Sequence, residues 1–151
     1  MNNLVDGYKV ILASNFALYM KTHQAHFNIT GMFFHSLHEF FKEQYEELWE
    51  AHDEIGEKMR MLDVYTPQSF GLYSKYSIVD DCDCVLDASG YLARILQDHE
   101  RMIVLLNKVF KIAEAECRQD HMNFLAERID AHGKHRWMIK SSLDSVAKLG
   151  A

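Results

Sequence analysis

Residues 63–80 read DVYTPQSFGLYSKYSIVD, and this stretch holds the chain's one proline, Pro67, together with Gly71 and three tyrosines. It interrupts an otherwise helical pattern, with room for one short helix inside it. Antiparallel neighbouring helices are usually joined by about 2–8 residues, so a connector of eighteen is too long for a simple hairpin and predicts a crossover. A helix of roughly thirty residues is ~45 Å long, and eighteen extended residues reach ~60 Å at most, so the chain can return along a bundle even if part of the connector coils.

On the N-terminal side, Val5, Tyr8, Leu12, Phe16 and Tyr19 fall at helical spacing and predict a helix from Val5 to Phe27, broken near Asn28 and Gly31. Phe34, Leu37, Phe41, Leu48, Ile55, Met59 and Leu62 then predict a second helix of roughly thirty residues, long enough to need bundle packing. Beyond the connector, Leu86, Leu92, Ile95, His99, Met102, Leu106, Val109 and Ala113 line a third helix. Phe124, Leu125, Ile129, His132, Arg136, Ile139, Leu143 and Val146 line a fourth. The expected fold is all-α: a four-helix bundle with a short helix in the long crossover between helices 2 and 3, as one domain over residues 1–151.

The chain has 151 residues, 16 Lys+Arg against 22 Asp+Glu, and a net charge of −6 with histidine neutral. A domain of this length buries about 70% of its unfolded surface and needs no disulfide or structural metal. The charge has the wrong sign for gripping phosphate backbones by counterion release. Cys82, Cys84 and Cys117 are odd in number and form no CxxC pair, which is read as reduced thiols in a cytoplasmic protein, with Cys82 and Cys84 inert at a helix start. No apolar run approaches the ~18 residues of a membrane span, and no signal-like segment opens the chain.

Nine histidines are many for this length, and histidine is the commonest metal ligand. A bundle of this connectivity can hold a di-iron centre built from inward glutamates and two Glu-x-x-His motifs. This sequence has no Glu-x-x-His. It has instead three H-x-x-H pairs, His23/His26, His35/His38 and His132/His135, so metal chemistry is expected outside the bundle interior. Glu39, Glu43, Glu46, Glu50, Asp53 and Glu57 form an acidic stripe on helix 2, read either as a solvated face or as a cation-attracting surface. Asp53 and Lys42 share a face ~16 Å apart. Two copies of this helix packed antiparallel about a two-fold axis bring each Asp53/Glu57 end to the other's His38/Lys42 end, with the axis near Leu48 and Trp49 and Trp49 buried there.

KTHQAHFNITGMFFHSLHEFFKEQYEEL, followed by AHDEIGEKMRMLDVYTPQSF and later AERIDAHGKHRWMIKSSL, resembles the Dps family of ferritin-like mini-ferritins over essentially the whole chain. The resemblance implies a ferritin-like bundle, a hollow dodecameric homo-oligomer, and oxidation of Fe(II) by peroxide or dioxygen at sites shared by two-fold-related subunits. It places iron ligands at His26 and His38, with Asp53 and Glu57 supplied by the other subunit, and mineral nucleation at Glu39 and Glu43. Two departures stand out. Lys42 occupies the position of a ligand aspartate, and Phe27 that of a tryptophan.

Lys42 has three readings: an ion pair with Asp53 or Glu57 across the interface that silences the site, a side chain swung clear of a mononuclear or weakly dinuclear site, or a preference for another divalent metal. The first gives a non-catalytic cage, the second a working ferroxidase. His23, His35, His52 and His135 are read as surface or supporting groups. DNA binding is expected to be negligible, because twelve chains multiply the charge of −6 twelvefold and the termini carry no basic tail.

Overall fold

The computed structural model describes the backbone of residues 3–149 and side chains through residue 146, so Met1, Asn2, Gly150 and Ala151, part of the termini weighed above, lie outside the described residues. The elements are α1 (Leu4–Asn28), α2 (Phe34–Arg60), α3 (Phe70–Tyr76), α4 (Ala88–Ala115) and α5 (Gln119–Leu149), with no strand among the described residues. The four long helices form a bundle in which α1 packs on α2 and α4, α4 packs on α5, and α3 lies against α1. This is the expected fold, with the short helix inside the crossover.

Each boundary has a local cause. The Asn3 side chain accepts from the Asp6 amide at 2.8 Å and opens α1, and Gly31, at φ 94°, turns the chain into α2. Ser69 caps α3. Asp87 accepts from the Gly90 amide at 2.7 Å and opens α4. That cap corrects the expected third helix: Leu86 precedes it, and the aspartate-rich run at 80–87 stays non-helical, so Cys82 and Cys84 lie in the crossover rather than at a helix start. Between α4 and α5 the Arg118 amide reaches Ala113 O at 2.9 Å around Cys117, whose φ of 53° is the left-handed conformation that closes many helices.

Leu37, Phe41, Leu48, Ile55 and Met59 of α2 meet Leu12, Leu18, Ile95, Met102, Leu106, Leu125 and Ile139 in one continuous core. Full burial of such a side chain is worth about 1.5–3 kcal/mol. Gly7 of α1 faces Val109 of α4 so closely that a Cβ there would stand 2.7 Å from a valine methyl. Of the residues assigned to the inner face of α5, Arg136 is exposed and meets Glu100 at 3.5 Å, while Arg128 is the buried arginine. The crossover is tied to the bundle by the Ile78 amide on Ser14 Oγ at 3.0 Å and by Arg101, which bonds Asp80 at 2.6 Å and Asp98 at 3.2 Å. No helix among the described residues is long and apolar enough to cross a membrane.

Candidate metal centre

His26, in the last turn of α1, and His38, in the second turn of α2, are brought together by the short turn through Gly31. Their rings stack with centroids 3.7 Å apart and planes inclined by 21°. Each ring is anchored to the other residue's backbone: His26 Nδ1 donates to His38 O at 2.7 Å, and His38 Nδ1 donates to His26 O at 2.9 Å. A proton fixed on Nδ1 leaves the Nε2 lone pair as the metal-binding atom of each neutral ring, the usual way an outer hydrogen bond selects the ligating nitrogen. Neither Nε2 has a hydrogen bond among the described residues. The two histidines therefore suit ligation.

The remaining expected ligands are not gathered with them. Asp53 and Glu57 are exposed one to two turns before the end of α2, and Glu39 and Glu43 are exposed near its start. Among the described residues no three His, Cys, Asp or Glu side chains are grouped so as to hold a metal ion. A metal on His26 or His38 thus needs donors from outside the single chain. Lys42 is half-buried on the turn after His38 and forms no ion pair among the described residues.

Beside this pair lies an aromatic surface. His23 stacks on Tyr45 at 3.9 Å and on Phe27 at 4.4 Å, and Tyr19 meets Trp49 at 5.1 Å. Burial and the nearby His26 depress the His23 pKa, which favours the neutral ring in this stack. Phe27 is 59% exposed and Trp49 55% exposed. Trp49 is thus exposed on the single chain. Leu48 is not: it is fully buried within its own chain, and its carbonyl accepts from Asn15 Nδ2 at 2.8 Å, so a two-fold contact there would run over Trp49 and Tyr45 instead. The other tryptophan, Trp137 on α5, is also exposed.

A second polar constellation, inside the bundle, escaped the sequence reading. His99 and His132 face each other with Nδ1 atoms 2.8 Å apart, and His135 Nε2 lies 3.1 Å from Glu47 Oε2, which also pairs with Arg128. His135, read as a surface or supporting group, is buried. Burial would raise the Glu47 pKa, but the hydrogen bonds from His135 and Arg128 outweigh it and bring it down to about 2. Burial, reinforced by Arg128, lowers His132 to about 3, and burial with the neighbouring His132 lowers His99 well below its ordinary value. These rings are neutral, and the guanidinium in their midst argues against a resident cation. The available signal was polar residues at core positions: His99 and His132 on apolar stripes, with Glu47 next to Leu48.

The sulfurs also differ from expectation. Cys82 and Cys84 are paired as a disulfide, and Cys117 alone is a free, exposed thiol. Both cysteines lie in the non-helical run at 80–87, between the Ser77 cap of α3 and the Asp87 cap of α4.

With this geometry in view, the chain matches the ferritin family, described as a ferritin-like domain, over residues 9–149. It is 31% identical over 135 residues to a low temperature-induced protein of Nostoc sp., covering 88% of this chain and 75% of that protein. It is 30% identical to the nutrient stress-induced DNA-binding protein of Nostoc sp., covering 83% and 68%. The structure of Dps from Staphylococcus aureus superposes with a TM-score of 0.89 at 24% identity over 95% of this chain and 98% of that one, a likeness of fold. Helix order, crossover and family match converge, and the chain, similar to Dps proteins in sequence and fold, belongs to the ferritin-like family.

Proposed function

We propose that this protein is an iron-storing mini-ferritin that takes up Fe(II), oxidises it at sites shared between two subunits and keeps ferric iron inside a dodecameric homo-oligomeric cage in the cytoplasm. The observation that carries this reading is the reciprocal anchoring of His26 and His38, which presents two Nε2 donors beside an exposed aromatic surface. Asp53 and Glu57 of a second subunit supply the anionic ligands in this reading, and Glu39 and Glu43 the interior surface on which mineral starts. Peroxide or dioxygen accepts the electrons. The chain's own residues do three things: the histidines hold the metal in fixed orientation, the carboxylates neutralise its growing charge on oxidation, and the aromatic surface keeps the contact dry. Imidazole and carboxylate also suit zinc, manganese and cobalt.

A second reading rests on Lys42. An ammonium where a second metal ion needs a carboxylate repels that ion, and pairing with Asp53 or Glu57 of another subunit would leave a non-catalytic, sequestering cage. Stopped-flow formation of Fe(III) from anaerobically loaded protein separates the two. Oxidation by wild type well above a buffer blank, lost in His26→Ala with assembly intact, supports the ferroxidase. Oxidation only in Lys42→Asp supports the silenced cage, and none in wild type or in Lys42→Asp refutes both the ferroxidase and the assignment of Lys42 as the group that silences it.

The names of relatives speak of DNA, but the acidic balance of this chain argues for negligible direct DNA binding at physiological salt. A salt-sensitive gel shift with metal-free protein would overturn that.

A further inference from the structure

The paired cysteines line a cleft of about 400 Å³ between α1, α3, α4 and the crossover, together with Lys21, Asp80 and Arg94. Their environments differ. Cys82 is exposed, whereas Cys84 is half-buried and its Sγ receives a hydrogen bond from Arg94 Nη1. A bridge across a single intervening residue closes so short a loop that its chain-entropy stabilisation is at the low end for disulfides, so a purely stapling role explains little. Asp80 already fastens this segment to α4 through Arg101, which Asp98 of the same helix also holds.

We propose that Cys82 and Cys84 form a reversible thiol–disulfide exchange site for small uncharged or cationic thiols, a role independent of the iron chemistry above. An incoming thiolate attacks exposed Cys82 Sγ, the Sγ–Sγ bond breaks, and its electron pair leaves on Cys84 Sγ as a thiolate held by the Arg94 guanidinium. A second small thiolate attacks the outer sulfur of the mixed disulfide and releases Cys82. Two small thiols are oxidised to one small disulfide, and the protein disulfide is reduced to two thiols, which take up the two protons. Oxidation by a small disulfide is the reverse sequence. Arg94 is a positioning residue: it favours the leaving thiolate, and a better leaving thiolate leaves faster. Asp81 and Asp83 flank the attacked sulfur and are exposed, so they repel anionic thiols and attract cationic ones.

The full-length protein, equilibrated in cysteamine/cystamine buffers of graded ratio, alkylated and weighed intact, tests this. Expected is a reversible step from one alkylated cysteine, Cys117, to three with helical content unchanged. A count fixed at one or at three across the series overturns the site. Reduction rates at equal thiolate concentration should run cysteamine, 2-mercaptoethanol, 3-mercaptopropionate from fast to slow and converge in high salt, and equal rates at low salt overturn the charge selection. In a Cys82→Ser/Cys117→Ser background the pH profile of Cys84 alkylation should shift upward in Arg94→Gln and return in Arg94→Lys. An unmoved inflection overturns the role of Arg94.

Discussion

Glu47 shows how much one side chain carries. Among the described residues it is the single acidic partner of Arg128 and of His135, on α5, and it is about one-third exposed, with a side-chain accessibility of 32% against 8% for the arginine. Removing one member of a buried pair strands the other, at about 3–5 kcal/mol when both are buried. For Glu47→Gln, partial exposure moves the expectation to the low end, about 3 kcal/mol, read from urea denaturation midpoints. An unchanged midpoint would mean that solvent reaches Arg128 freely. This residue also marks where the sequence was hard to read. His26 and His38 were found because their spacing and the family resemblance pointed to them together. Glu47 lies among a run of acids on α2, and only a core neighbour, Leu48, betrays that it turns inward. His99 and His132 had been placed on inner faces, but periodicity records only that a residue faces the core, and nothing in one dimension says that two helices set their imidazoles in contact.

Among the elements, α1 and α4 meet at their closest where Gly7 faces Val109. In an exposed helix Gly→Ala gains about 1 kcal/mol from propensity. Here the new methyl would stand 2.7 Å from a valine methyl, and overpacking of this kind costs about 1–3 kcal/mol. Gly7→Ala is therefore expected to lower the thermal midpoint, and Gly7→Ala/Val109→Ala to recover less than the clash costs, because the valine volume is lost from the core. A rise in Tm for the single variant would show that the helices separate easily. Most helix limits were legible within a residue or two, because their causes are local: Asn3 and Ser69 are caps, and Gly31 makes a turn. The start of α4 was misplaced because Leu86 continues the apolar pattern beyond the true cap. Asp87 accepts the first amide bond and overrides the periodicity.

For the whole molecule, acid is the lever. His99 and His132 have folded pKa values below the ordinary 6.5, and Glu47 sits near 2 against 4.5, so in each case the unfolded chain takes up protons that the fold refuses. The stability these groups contribute is full above pH 6.5, falls below it as both histidines protonate in the unfolded state, for His132 down to about 3, and falls further as Glu47 is protonated in the unfolded chain between 4.5 and about 2. Each extra proton bound by the unfolded state steepens the loss by about 1.4 kcal/mol per pH unit. Midpoints measured across this range should drop with acid, and His132→Gln should flatten the upper limb; a flat wild-type profile would contradict neutral buried imidazoles. A single chain does not display assembly, and the ligands expected together lie apart in it. The two tryptophans supply a means of watching this. Trp49 is 55% and Trp137 67% exposed, so neither indole reports on the core. Emission from the separated subunit should already lie far to the red and change little on unfolding, while association over the Trp49 surface should move it to the blue: in this protein intrinsic fluorescence is an optical gauge of company kept rather than of fold.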